Sequence, residues 1–369
     1  MTEEDYQVSN DRPRAREAGI RIGNMPTGPL NSITDVEGVR VGHVTLIKGE
    51  GALRIGHGPV RTGVTAILPP RENWWNEPVE AGNFVINGAG TTAGLSFIDE
   101  YHRIETPVLL TNTLSVGTVY EGIVRYMVDH CFEGRASIPW FNPVVGETSD
   151  AGLNDIGGLH VRPKHAVDAI RNAEAGAVEE GCVGGGTAMS ALGWKAGIGT
   201  SSRVVEIAGE KAIVGVLVQA NFGGTLTVAG VRMDSLEAEP HEEREGASIM
   251  IIFATDLPLS GSNLDRVARR ATFGLARTGS RGGHGSGDYV IGFSTTYRSD
   301  SKPAIRKAIR EQESLIDFPF EAIADATEEA ILNALFKATT MVGCNGAVRS
   351  AMPVEPVLER LKQAGVLVE

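Results

Sequence analysis

The stretch EAEPHEEREGASIMIIFATD, residues 237–256, changes character within two residues. Glu237, Glu239, Glu242, Glu243 and Glu245 crowd its first half, with Pro240 and His241 among them. That much like charge, with so little to bury, predicts an exposed loop. Gly246 and Ala247 follow, then Ser248, then Ile249-Met250-Ile251-Ile252-Phe253, a short apolar run that predicts a buried strand. A serine thus stands at the first position of a core strand, behind two small residues and an accessible loop. Two readings are open at this point. Serine is common at strand starts and needs no role there. Alternatively, its hydroxyl attacks the carbonyl of Ala247 and cuts the chain, an attack that small residues before the serine permit. The new chain would begin at Ser248. Its α-amine, with an ordinary pKa of about 7.7–8.0, is a base for the neighbouring hydroxyl.

Composition bounds the rest. The chain has 369 residues, 42% of them hydrophobic, enough for a sizeable core. The net charge of −12 argues against a nucleic-acid or anionic-membrane partner. The three cysteines, Cys131, Cys182 and Cys344, are odd in number and far apart, so neither a disulfide framework nor a zinc site is expected. A reducing cytoplasm fits that usage. The polar N-terminus carries no apolar leader, and no apolar run approaches the ~20 residues of a spanning helix. No metal or cofactor is expected.

Residues 1–19 read as a flexible arm, and residues 20–369 as one unit with no dividing linker. Within it, Val39, Val41 and Val44 alternate with polar residues as a half-buried strand does. Gly63–Leu68 reads as a buried strand, and Trp74-Trp75 as anchors of the loop behind it or the wall of a binding site. Strands are also expected over 84–90 and 108–113, each ending in a turn that carries an asparagine, Asn87 or Asn112. Helices are expected over 115–130, 164–178, 262–278, 302–314, 327–340 and 354–364. Ser262 with Asp265 has the spacing of a capping box. The cluster Glu147-Thr148-Ser149-Asp150 lies at a strand end, as a capping group or part of a site. The run GCVGGGTAM, 181–189, lacks the lysine and spacing of a phosphate loop, so Gly185 and its neighbours mark a close approach to a strand or a substrate. A hairpin is expected over 203–219, turning at Gly209-Glu210. Its second strand ends at Asn221, an amide placed either to donate into a cleft or to cap a turn. Ser286 and Asp288, separated by Gly287 at a strand start, are either a turn or a serine with its acid. His284 sits in a glycine-rich loop and is not taken as the base.

Together these segments resemble a known family, the self-processing serine aminopeptidases that include DmpA-type L-aminopeptidase/D-Ala-esterase/amidases and β-peptidyl aminopeptidases. The matching stretches, in order, are NSITDVEGVRVGH, GPVRTGVTAILP, TNTLSVG, PVVGETSDAGLNDI, VGGGTAM, GIGTSSRVV, VGVLVQANFG, SIMIIFATDLPL, GLARTGS and GSGDYVIGFST. The resemblance implies an α/β fold, a four-layer α/β/β/α sandwich similar to that of the N-terminal nucleophile hydrolases. It implies a cut between Ala247 and Ser248, giving chains 1–247 and 248–369 that stay together, commonly in an assembly of four processed units. Ser248 is then the nucleophile for the N-terminal residue of small peptides, amides or esters. Ser286 and Asp288 match its supporting serine and acid, and Asn221 the asparagine facing the acyl oxygen. Asp288 is a candidate to hold the substrate ammonium and Glu147 a weaker one, with Asn112 and Gly185 as further weak substrate contacts. Three positions depart from the family. Ala247 stands where Gly or Asn is usual, and Ser149 and Gly152 stand where a tyrosine is expected. Alternatives are a related acyltransferase, which normally uses threonine, and an uncleaved binding or assembly protein.

Overall fold

The computed structural model describes residues 11–234, 236 and 247–367. The acidic loop expected over 237–246 lies outside the described residues. Ten strands build two sheets. In the first, β1 (Arg40–Lys48), β2 (Val60–Leu68), β5 (Val108–Asn112) and β6 (Val144–Thr148) lie side by side in that order. In the second, the order is β4 (Arg103–Ile104), β3 (Val79–Gly88), β10 (Gly287–Ser294), β9 (Ser248–Thr255), β8 (Glu210–Asn221) and β7 (Ile198–Ile207). Pairing is antiparallel except between β5 and β6 and between β9 and β10.

Side-chain alternation sets the layers, because successive residues of a strand point to opposite faces. In β9, Met250, Ile252 and Ala254 join Leu217, Ile291 and Phe293 against Ile67, Leu110 and Val144 of the first sheet. Ile249, Ile251 and Phe253 face the other way, onto Val267, Ala271 and Ile331. Those three belong to α4 (Gly261–Arg277) and α6 (Asp317–Lys337); α1 (Leu95–Tyr101) and α5 (Pro303–Glu311) are shorter helices. On the far side, Val64, Leu109 and Val145 pack under α2 (Val116–His130) and α3 (Pro163–Arg171). The result is the expected four-layer α/β/β/α sandwich. Ser248 shares the inter-sheet side with Met250.

Several boundaries differ from expectation. The central helix α6 begins at Asp317, ten residues before the expected 327. Pro319 is tolerated because it lies in the first turn, where the amide has no helical partner. Helix α3 stops at Arg171 and the chain turns through Asn172, short of the expected 178. The Ser262–Asp265 capping box does not form: Ser260 is the N-cap, and Asp265 Oδ1 accepts the Asn83 amide of β3 at 2.9 Å. The β7–β8 hairpin turns at Ala208-Gly209, both with positive φ, one residue before the expected pair. Residues 11–19 of the expected arm are packed. Arg12 donates to the carbonyls of Phe336 and Met352, Ala15 is fully buried, and Arg16 pairs with Glu329 at 2.7 Å. A guanidinium binding one carbonyl in the last turn of α6 and another just before the C-terminal helix fixes a segment that composition alone reads as loose. Trp74 is buried with its indole N–H on Pro69 O at 2.9 Å, as a loop anchor.

Candidate active site

The strand β9 lies between β8, which precedes Ala247, and β10, which follows it. Ser248 is opposite Asn221 in the β8–β9 register and level with Gly287 in the β9–β10 register. The sheet therefore gathers all four expected catalytic residues at one strand end. The Ser248 side chain is buried, and its hydroxyl donates to the carbonyl oxygen of Ala247 at 2.6 Å. The Gly287 amide donates both to that oxygen, at 3.0 Å, and to Ser248 Oγ, at 3.2 Å. Gly287 has to be glycine. A Cβ there would meet Gly90 Cα at 2.8 Å, Gly90 N at 2.9 Å and Ser248 Oγ at 3.1 Å.

Ser286 Oγ donates to Asp288 Oδ1 at 2.6 Å. Asp288 is level with Ile249, so alternation places it on the sheet face opposite the Ser248 side chain. Its Oδ2 is buried without a partner among the described residues. Burial pushes the Asp288 carboxyl up, against the Ser286 hydroxyl and the Ile249 amide, which hold it down. A buried carboxylate short of donors suits a cation placed beside it.

Glu147 is buried at the end of β6, an edge strand of the first sheet. Oε1 accepts the Thr91 amide at 2.7 Å and Oε2 accepts the Thr113 hydroxyl. Burial raises its carboxyl, opposed by those two donors. Beside it, Tyr289 Oη donates to Gly90 O at 2.7 Å and accepts from Gly90 N at 3.2 Å. A Cβ at Gly90 would meet Glu147 Oε1 at 2.8 Å, Tyr289 Cε2 at 3.0 Å and Gly287 Cα at 3.2 Å. Glu147 and Ser248 thus border the same few atoms around Gly90 and Gly287. The residues Gly90, Thr91, Thr113 and Tyr289 carry no local signal of this role; only the sheet packing joins them.

Asn221 Oδ1 accepts the Ser190 amide at 3.0 Å, and Nδ2 donates to Ser149 O at 3.0 Å. So Ser149, one of the two positions where a tyrosine is expected, contributes its backbone to the site. Asp150 is not a cap. It is buried against Thr62, Asn154 and Asn112, and burial raises it to about 6. Asn112 donates to Thr62 Oγ1 at 2.8 Å, tying β5 to β2. Gly185 makes its close approach to protein: a Cβ would meet Gln219 Oε1 at 2.1 Å and Leu110 O at 2.9 Å. Neither Asn112 nor Gly185 joins the group around Ser248. Among the described residues no cluster of His, Cys, Asp and Glu is arranged to hold a metal, and no helix is long and apolar enough to cross a membrane.

The chain is similar to known proteins over most of its length. Residues 31–349 match the model of peptidase family S58. The β-peptidyl aminopeptidase BapA of Sphingosinicella microcystinivorans is 42% identical, over 94% of this chain and 91% of its own. The crystal structure of the PH0078 protein from Pyrococcus horikoshii OT3 superposes with a TM-score of 0.88 at 48% identity, covering 96% of this chain and 100% of that one. The L-aminopeptidase D-Ala-esterase/amidase of Ochrobactrum anthropi, described as a prototype serine aminopeptidase with a variant of the Ntn hydrolase fold, superposes with a TM-score of 0.83 at 37% identity, covering 97% of this chain and 100% of that one.

Proposed function

The chain belongs to peptidase family S58 and is a serine aminopeptidase, and on that premise we propose that it cuts itself between Ala247 and Ser248 and then works through the new N-terminus. The observation that carries this reading is the Ser248 hydroxyl, 2.6 Å from the carbonyl oxygen of Ala247, with the Gly287 amide on the same oxygen. In the cut, Ser248 Oγ adds to the Ala247 carbonyl carbon. The Gly287 N–H supports the negative oxygen, and the C–N bond breaks toward Ser248 N. The resulting ester is hydrolysed, which frees the Ala247 carboxylate and the Ser248 α-amine.

That amine forms at the strand end next to Asp288. The Ser286–Asp288 pair then has the partner its buried carboxylate lacks in the uncut chain, and it orients the amine toward Oγ. In turnover, the amine takes the Oγ proton, directly or through a water or Ser286, as Oγ attacks the substrate's first carbonyl. Asn221 and the Gly287 amide serve the acyl oxygen; one such donor contributes about 10²–10³ in rate. The protonated amine gives its proton to the leaving group, and water clears the acyl-enzyme. Glu147 holds the substrate ammonium, with Gly90 giving the room between them.

The substrates of this reading are small peptides, amino-acid amides and esters with a free N-terminal amine. β-Residues are included, on the likeness to the β-peptidyl enzyme. The processed 1–247 and 248–369 chains remain one folded unit, because β8, β9 and β10 share a sheet, and we place them in the cytoplasm as a homo-oligomer. The test is intact mass under denaturing conditions, beside Ser248→Ala. Two fragments meeting at Ala247/Ser248, absent from the variant, are expected. A single uncut chain in both samples, with the fold intact, would overturn the scheme.

A further inference from the structure

Lys195 is fully buried, and among the described residues it forms no ion pair with a carboxylate. Its Nζ donates to the carbonyl oxygens of Met189, at 2.8 Å, and Ala196, at 2.6 Å, and lies against Cys182. An ammonium has three N–H donors and no acceptor, so these three neighbours occupy it completely. Burying a charge away from any carboxylate is costly, and burial lowers the Lys195 pKa, opposed by the neighbouring Cys182. Packing alone would be served as well by an apolar chain of the same length.

The position of Met189 O shows what the charge acts on. That oxygen and the Ser190 N–H belong to one peptide group. The oxygen already accepts the Ala196 amide at 3.0 Å, so backbone contacts alone hold the peptide in place. The ammonium adds charge to it. The N–H of the same peptide donates to Asn221 Oδ1 at 3.0 Å, and Asn221 Nδ2 donates onward to Ser149 O at 3.0 Å. Hydrogen-bonded amides polarise one another in series, and a charged donor at the head strengthens every link. A cation on Met189 O makes Ser190 N–H the stronger donor. That draws electron density from the Asn221 amide, whose NH₂ becomes the stronger donor in turn.

We propose that Lys195 is a positioning residue for acyl transfer, acting through the Met189–Ser190 peptide to hold and polarise the Asn221 amide. This rests on the assignment of Asn221 to the acyl oxygen. Lys195 touches neither the substrate nor Ser248. Its effect belongs in the transition state, where charge develops on that oxygen, and so in kcat more than in KM.

A double-mutant cycle on the processed enzyme, assayed with an aminoacyl amide, tests the coupling. Asn221→Ala is expected to lower kcat by about 10²–10³. Lys195→Met is expected to lower kcat about tenfold in the native background, with KM within about twofold, and by less than about twofold in the Asn221→Ala background. An equal factor in both backgrounds, or no effect in the native one, would overturn the proposal and leave Lys195 a structural residue. An unchanged kcat for Asn221→Ala would instead remove the Asn221 assignment, and this proposal with it. Where Lys195→Met does not fold or Asn221→Ala stays uncut, Lys195→Gln decides. It keeps a donor for Met189 O without the charge, and the Asn221 side-chain amide protons are expected to move upfield. Unmoved resonances in the folded variant would sink the proposal.

Discussion

Glu329 and Asp288 are both buried carboxylates, and they are finished to different degrees. Burial works to raise Glu329, but Arg16, Arg203 and Asn31 donate to its two oxygens at 2.6–3.0 Å and hold it below the ordinary carboxylate range. Asp288 has the Ser286 hydroxyl on one oxygen and nothing among the described residues on the other, and it stays raised. The first group joins the N-terminal segment, β7 and α6 into one body. In the proposed scheme, the second takes the α-amine that the cut at Ser248 would create. Of these two carboxylates, the fully paired one ties segments together, and the one left short of a partner lies at the candidate site.

The largest effect expected is for Ser248→Ala: an uncut chain in the mass spectrum and aminopeptidase activity lower by about 10⁴ or more. The pair of acids comes next. Asp288→Asn should lower turnover by about 10²–10⁴ by depriving the new amine of its counter-charge, with a melting temperature close to native. Glu329→Gln should do the reverse, losing about 3–5 kcal/mol in urea unfolding, because Arg203 is left buried without its partner, while kcat per folded molecule holds. Should the two variants behave alike, the contrast between the two carboxylates fails. Glu147→Gln should lower kcat/KM for a free-amine substrate about 10²-fold; an unchanged value would take the ammonium away from Glu147.

The two acids also titrate in opposite senses. Glu329 is depressed, so its contribution to stability is present above its unfolded pKa and lost as pH falls through the folded value. Asp288 is raised, so its contribution is present below its unfolded pKa and declines as pH rises through the folded value. Urea midpoints between about pH 4 and 7 should therefore flatten on the acid side for Glu329→Gln. Asp288→Asn, placed in the uncut Ser248→Ala chain, should gain stability toward neutral pH. The smallest effect is expected for Ala247→Gly, which keeps a small residue before the cut and should change the self-cleavage rate by less than about tenfold.

Much of this molecule was legible before any fold was known. The apolar run after Ser248, the Ser286-Gly287-Asp288 junction and the Asn221 strand end are local patterns, and each stands where the chain order predicted. Residues that act across the sheet were not legible. Tyr289 and Gly90 are 199 positions apart in sequence, and no local pattern singles out Lys195. The expected start at 327 leaves out the first ten residues of helix α6, which carry Pro319 and the buried Asp325; Asp325, Glu328 and Glu329 are buried acids that a periodicity argument assigns to solvent. The reason is physical. A charged residue looks exposed until the chain supplies its partner, and those partners, Arg16, Arg203 and Arg277, come from distant segments.

The sequence by itself determined which strand starts with a serine behind small residues, and that the same serine is preceded by an acidic stretch. Periodicity and turn chemistry are local, so they survive without a fold. Only the tertiary structure decided that β8 and β10 flank that strand, that Gly287 lends its amide to the Ala247 carbonyl, and that Lys195 stands behind Asn221. Those relations depend on sheet order and register, which short-range preference does not encode.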